Sequence, residues 1–192
     1  MSETLLEHMQ RVRVASRRLY TLEEMDAAIA RLARELDADY REHNPVCLVL
    51  LNGAVIFAGR LLPLLDFPLQ QDYVHATRYV GATTGGVVEW RVTPSKELSG
   101  RHVLLIDDVL DEGATLLGVM EACRRQGAAS VQTAVLVDKR HERKAEPGLR
   151  ADYTGLEAED AYLFGGGMDY RDYWRNAPGI FAVPDDILRE HS

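Results

Sequence analysis

An unbroken apolar run, Val46-Cys-Leu-Val-Leu-Leu51, stops at Asn52-Gly53 and gives way to a helical stretch that ends near Leu65. A strand that does not alternate apolar with polar residues is covered on both faces, and such strands belong to parallel sheets flanked by helices. The pattern returns further along the chain. Arg101 to Asp107 reads as a strand, followed by a short acidic loop, a helix from about Ala114 to Gln126 closed by Gly127, and another strand from Val131 to Val137. Between the two units, Gln71 to Val80 and Val87 to Thr93 read as extended segments around Gly81-Ala-Thr-Thr-Gly-Gly86, a hairpin loop or a lid. The order β-α-(ββ)-β-α-β predicts an α/β domain with a mainly parallel twisted sheet flanked by helices. Ligands on such sheets bind beyond the carboxyl ends of the strands. Those ends are Asn52-Gly53, Asp107 to Thr115, and Asp138-Lys139.

The amino-terminal part reads as helical. Thr21-Leu-Glu-Glu24 has the form of a capping box, in which Thr21 and Glu24 satisfy each other's backbone amides. Met25, Ala28, Ile29, Leu32, Leu36 and Tyr40 then fall at helical spacing, predicting a helix over about 22–40. An earlier helix is expected around 3–18, with Leu5, Leu6, Met9 and Val12 on one face. Its arginines at 11, 13, 17 and 18 read as a solvated or subunit-contacting face rather than an anion site.

At 192 residues the chain is expected to form one domain. Its charge, 22 basic against 30 acidic side chains for a net −8, argues against wrapping duplex nucleic acid. A small phosphorylated substrate remains compatible with it. Cys47 and Cys123 form no CxxC, so a disulfide framework is excluded and free thiols are expected. The opening residues hold no apolar run of signal-peptide length. The most apolar stretch, 46–69, is interrupted by Asn52, Arg60, Asp66 and two prolines, short of the ~20 residues a membrane span needs. The expected location is the cytoplasm, with neither nucleic acid nor membrane as a partner.

The chemistry concentrates in Val103-Leu-Leu-Ile-Asp-Asp-Val-Leu-Asp-Glu-Gly-Ala-Thr-Leu116. A strand end supplies Asp107 and Asp108 to opposite sides of the chain. Carboxylates accept from sugar hydroxyls and are hard oxygen ligands for Mg²⁺. The following turn, with Gly113 allowing close approach and Thr115 adding a hydroxyl, presents N–H groups at a helix N-terminus, an anion site. Acids and a phosphate cradle side by side point to a sugar phosphate held at both ends. Three carboxylates directly after a buried strand repel one another unless something cationic or hydroxylated is bound. The phosphate-loop pattern GxxxxGK[ST] is absent, and Gly165-Gly-Gly167 is a weak dinucleotide signal.

Leu104 to Leu116 resembles the phosphoribosyl-pyrophosphate (PRPP) motif of type I phosphoribosyltransferases. Leu51-Asn-Gly53, Val137-Asp-Lys139, Ala151-Asp-Tyr-Thr-Gly-Leu156, Tyr162-Leu-Phe-Gly-Gly-Gly-Met-Asp-Tyr170 and Tyr173-Trp-Arg175 are similar to the bacterial hypoxanthine-guanine branch. The likeness runs from about 46 to 183 in order and spacing. It implies a single domain over 1–192, with a core at about 46–140 and a small hood from about 1–45 and 141–192. It further implies transfer of the phosphoribosyl group from PRPP to hypoxanthine or guanine, with Mg²⁺ as cofactor, pyrophosphate as product, and a homodimer or homotetramer. Carried over by position, Asp107 and Asp108 would hold the ribose hydroxyls, and Asp111 would act as general base on the purine imidazole nitrogen. Asp111, Glu112, Gly113, Ala114 and Thr115 would cradle the 5′-phosphate. Asn52, Gly53 and Arg175 would contact pyrophosphate. Lys139 would donate to the 6-oxo group, Tyr162 would stack on the base and Leu163 would offer it backbone hydrogen bonds. Asp169 would bind metal, with Asp107 and Asp108 as further ligands, and Arg78 and Tyr79 would begin the lid.

Three departures from the family pattern stand out. Asn52 replaces a frequent Lys; Glu112 replaces a frequent Thr or Ser and is expected to face solvent; Gly166 replaces a frequent aromatic, which would open the wall behind the base. Lys139 also has a plainer reading, as one of a solvated basic run with Arg140, Arg143 and Lys144. The rival functions are transfer to another nucleobase such as xanthine, and a PRPP-binding regulator without catalysis. A donor at Lys139 disfavours adenine, whose 6-amino group is itself a donor.

Overall fold

A computed structural model describes residues 3–78 and 88–190, with Arg78 and Val88 described in backbone only. Helix α1 (Leu5–Ala15) leads into strand β1 (Arg17–Tyr20) and helix α2 (Leu22–Tyr40). The first parallel unit follows: β2 (Val46–Leu50), α3 (Ala54–Leu61) with a 3₁₀ turn at 62–64, and β3 (Gln70–Arg78). Strand β4 (Val88–Val92) returns antiparallel to β3. The second unit comprises β5 (His102–Leu110), α4 (Ala114–Arg125), β6 (Ser130–Arg140) and β7 (Tyr153–Glu159). Strands β8 (Tyr162–Phe164) and β9 (Ile180–Val183) and helix α5 (Asp185–Arg189) close the chain.

The main sheet has the order β4-β3-β2-β5-β6-β7, parallel except at β3–β4. Both faces are covered, as the apolar runs require. Cys47, Val49, Leu104 and Ile106 face α2 and α3, while Val46, Leu48, Val103 and Leu105 face α4. A three-stranded antiparallel sheet, β1-β9-β8, sits over the carboxyl ends with its own cluster of Met9, Val12, Phe164, Tyr170 and Phe181. The capping box of α2 is present, with Glu24 N–H donating to Thr21 Oγ1 at 3.1 Å and Thr21 N–H to Glu24 Oε2 at 2.8 Å. Cys47 and Cys123 are free and buried. Among the described residues no helix is long and apolar enough to cross a membrane.

Three expectations are corrected. The first helix stops at Ala15, because Ser16 turns extended and its hydroxyl bonds back to Val12 O at 2.7 Å. Arg17 and Arg18 therefore lie in β1, held by pairing with Phe181 and Ala182. Leu5 and Leu6 are 57% and 68% exposed, while Met9 and Val12 are buried, so the inward face is narrower than expected. The arginines stay at the surface as expected, with Arg17 and Arg18 exposed, and pair within the chain: Arg11 with Glu3 and Glu190, Arg13 over Phe181, Arg17 with Glu159. Finally, β5 and β6 run beyond the expected Asp107 and Val137. Their mutual ladder continues through Asp107↔Val135, Val109↔Val137 and Leu110↔Asp138, so pairing sustains the strands after the apolar pattern ends.

Candidate active site

The carboxyl ends of β2, β5 and β6 and strand β8 of the three-stranded sheet enclose a cleft of about 400 Å³. Gly53, Asp107, Asp108, Asp111, Lys139, Tyr162, Leu163, Asp169 and Arg175 line it. It joins a second lobe of about 370 Å³ through the shared residues Asp107, Asp108 and Asp111. The second lobe is floored by Glu112, Gly113, Ala114 and Thr115 at the start of α4. Asn52 is exposed and outside this lining; the Leu51–Asn52 peptide is cis. The expected lid falls on Tyr79 and residues 81–86, which lie outside the described residues, as does the side chain of Arg78.

Asp107 and Asp108 sit inside β5, not beyond it. Each accepts from the next backbone amide, Asp108 N–H to Asp107 Oδ1 at 3.0 Å and Val109 N–H to Asp108 Oδ1 at 3.1 Å. Among the described residues neither forms an ion pair. Burial pushes both carboxyls above the ordinary range, and the charge of Asp108 pushes Asp107 further, while Arg175 partly offsets the rise at Asp108. Buried adjacent carboxyls of this kind favour a cation or hydroxyl donors between them. Asp169 lines the same cleft, and all three carboxyls are the hard oxygen donors that suit Mg²⁺, although their oxygens do not gather within 4.8 Å of one another. Asp169 itself is paired with Arg175 at 2.6 Å.

Glycines let the backbone press against these acids. A Cβ on Gly53 would overlap the Asp108 carboxyl, and one on Gly167 would overlap Gly53 O. Gly167 thus lets the segment after β8 pack directly on the turn after β2. Gly166 lies among Met25, Leu136 and Ile180, where a Cβ would come within 2.8–3.1 Å, so it opens no wall behind a base. Gly113, at φ +85, caps α4 with no side chain and leaves the first-turn amides facing the second lobe.

Lys139 is within β6 and 6% exposed, not one residue past a strand end. Its Nζ donates to Asp111 Oδ2 at 2.7 Å and lies 3.5 Å from Asp160. The basic run is not solvated as a block. Arg140 pairs with Glu157, Arg143 with Asp160 and Glu112, and Lys144 with Asp138 and Leu110 O. Glu112 pairs with Arg143 at 3.3 Å at the surface, its side chain still 44% exposed, as expected of a solvent-facing residue. Burial alone would raise the Asp111 carboxyl, but hydrogen bonds and charge from Lys139, together with His141, outweigh it and hold the carboxyl low. His141, at 2.7 Å from Asp111 Oδ1, belongs to none of the sequence motifs that mark the site. Its spacing of two from Lys139 places both on one side of a strand, but the strand was expected to end at Val137. Tyr162 stands 42% exposed at the cleft mouth, edge-on to Tyr170 at 5.7 Å, and Leu163 is buried beside it.

The sequence matches the phosphoribosyl transferase domain family over residues 16–172. It is 31% identical over 170 residues to the hypoxanthine-guanine phosphoribosyltransferase of Streptococcus pneumoniae, covering 88% of this chain and 93% of that one. It is 33% identical over 192 residues to the hypoxanthine-guanine-xanthine phosphoribosyltransferase of Tritrichomonas foetus, covering 97% and 99%. The crystal structure of a hypoxanthine phosphoribosyltransferase from Staphylococcus aureus superposes with a TM-score of 0.85 at 27% identity, covering 96% and 98%. An acidic strand end leading to an uncapped helix, on this sheet and with these relatives, settles the descent: the chain belongs to the phosphoribosyl transferase family, among its hypoxanthine-guanine phosphoribosyltransferases.

Proposed function

We propose that this chain transfers the 5-phosphoribosyl group of PRPP to a 6-oxopurine, hypoxanthine or guanine, and so serves purine salvage. The observation that carries the reading is the Lys139–Asp111 pair at the cleft beside Tyr162 and Leu163. A donor-only ammonium next to a carboxylate acceptor is complementary to a 6-oxo group next to an imidazole N–H. Adenine would set its 6-amino donor against the ammonium.

In the reaction a bond forms between the purine nitrogen and the ribose anomeric carbon, and the bond from that carbon to pyrophosphate breaks. Asp111 takes the proton the purine gives up. Asp107 and Asp108 accept from the ribose hydroxyls, and the first-turn amides of α4 with Thr115 hold the 5′-phosphate. Arg175 and the Gly53 turn, with Asn52 beside it, meet the pyrophosphate. Tyr162 stacks on the base, and Leu163 meets its edge through backbone groups. When bound by Asp169, with Asp107 and Asp108, Mg²⁺ would neutralise charge on the departing pyrophosphate. Arg78 and Tyr79 would begin a lid, because an oxocarbenium-like centre has to be shielded from water. Self-association as a dimer or tetramer and a cytoplasmic location belong to the same reading, with neither nucleic acid nor membrane as partner.

The test is an assay of purified protein with PRPP, Mg²⁺ and each of hypoxanthine, guanine, xanthine and adenine. Product is expected from hypoxanthine or guanine, and none in excess chelator. PRPP binding without turnover of any base would replace this reading with that of a regulator.

A further inference from the structure

His141 follows the last residue of β6, and its side chain is 5% exposed. Its Nδ1 accepts from the Arg143 backbone N–H at 3.1 Å. A neutral imidazole that accepts at Nδ1 carries its proton on Nε2. That Nε2 lies 2.7 Å from Asp111 Oδ1, so the hydrogen-bond partners assign a donor pointing at the carboxylate. Lys139 Nζ occupies the other oxygen, Oδ2, at 2.7 Å. The surrounding charges are Asp160, 3.5 Å from Lys139 Nζ and 2.6 Å from Arg143, and Arg143 itself, 3.9 Å from Asp111 and 3.3 Å from Glu112. Asp111, His141 and Asp160 come within 4.8 Å of one another as a metal site would, but Lys139 already supplies the cation between the two carboxylates.

The two donors differ in kind, and the difference matters to a base. In the transfer reaction proposed above, on which this inference rests, Lys139 also serves the 6-oxo group and Oδ2 faces the purine N–H. The carboxylate then keeps a fixed partner only on Oδ1. Arg143 stays 3.9 Å from that oxygen, and a cation in direct contact there would hold Asp111 but weaken it further as a proton acceptor. A neutral N–H fixes direction through a bond that the carboxylate's own charge assists, and adds no further positive charge beside it. We propose that His141 is a positioning residue for Asp111: its neutral Nε2–H, with the tautomer set by the Arg143 amide, anchors Oδ1 so that Oδ2 stays aimed at the base while Lys139 is engaged with the substrate.

The experiment compares His141→Ala and His141→Gln with the parent protein, the glutamine amide retaining a neutral donor of similar reach. In the alanine variant kcat with hypoxanthine or guanine should fall about three- to tenfold, the worth of one net hydrogen bond, with KM for PRPP unchanged. The acidic limb of the kcat/KM profile should move to higher pH, because a donor that favours the charged carboxylate is lost. The glutamine variant should restore both. In parallel, the Asp111 carboxyl is titrated by carbon NMR in substrate-free protein, where its midpoint should rise in the alanine variant and return with glutamine. An unchanged titration and kcat in the alanine variant would overturn the proposal, as would a glutamine variant of parental melting temperature that behaves like alanine. If the titration moves while the parent turns over no purine, the transferase reading fails and the anchoring of Asp111 stands.

Discussion

Replacing Lys139 by glutamine exchanges a buried ammonium for a neutral amide, and the structure says where the loss falls. Without substrate it falls on Asp111, whose Oδ2 accepts from Nζ at 2.7 Å. A hydrogen bond to a charged group is worth about 1.5–3 kcal/mol. The Asp111 side chain is 44% exposed, however, and solvent screening brings the pair toward the surface range of about 1 kcal/mol or less. The pH dependence follows from the carboxyl that Lys139 and His141 hold low against burial. A group whose folded value is depressed stabilises the fold above its unfolded value, and that contribution is lost as pH falls through the folded value. Parent and variant melting curves should therefore differ at neutral pH and converge in acid. In the transfer reaction the loss falls on the 6-oxo group. A neutral donor keeps about half of a charged hydrogen bond, so roughly 0.8–1.5 kcal/mol is lost, or about four- to thirteenfold in kcat/KM for hypoxanthine. The amide can also turn its oxygen toward a 6-amino group, so the gap to adenine should narrow. The assay is the hypoxanthine-to-adenine ratio of kcat/KM in parent and variant under identical PRPP and Mg²⁺. A ratio that does not move, with both activities intact, would refute the assignment of Lys139 to the base.

Asp111→Asn should lower kcat by roughly 10²–10⁴-fold, the usual cost of losing a general base, with PRPP affinity nearly unchanged; steady-state kinetics showing a change of only a few-fold would reduce Asp111 to a turn residue. Asp107→Asn should raise the melting temperature at neutral pH, because burial and Asp108 make its ionised form costly. That gain should vanish below about pH 4, where the carboxyl is protonated folded and unfolded alike. Replacing both Asp107 and Asp108 by Asn should weaken PRPP binding by calorimetry, at about 1.5–3 kcal/mol for each charged hydrogen bond lost. Gly53→Ala is compatible with its backbone, φ −59 and ψ −46, but its Cβ would displace the Asp108 carboxyl. It should lower PRPP affinity while leaving the melting temperature near that of the parent, and parental affinity in that variant would show that the placement of Asp108 is immaterial.

The sequence by itself determined the elements whose cause is local. Thr21 and Glu24 fix the start of α2, the spacing from Met25 to Tyr40 fixes its buried face, and the unbroken run at 46–51 requires a sheet covered on both sides. The acidic stretch ending at Gly113 and Thr115 marked the site, because one short segment carries both the carboxylates and the helix start. Tertiary structure decided what depends on a distant partner. The ladder between β5 and β6 carries both strands past their apolar runs, so Asp107, Asp108 and Lys139 lie within strands. Leu5 and Leu6 stay exposed although their spacing matches that of Met9 and Val12, since periodicity gives a face but not its width. Lys139 and His141 meet Asp111 across 28 and 30 residues of chain. Periodicity reports which side of an element a residue takes, whereas an ion pair or a tautomer depends on the atom opposite, which only the folded chain brings there.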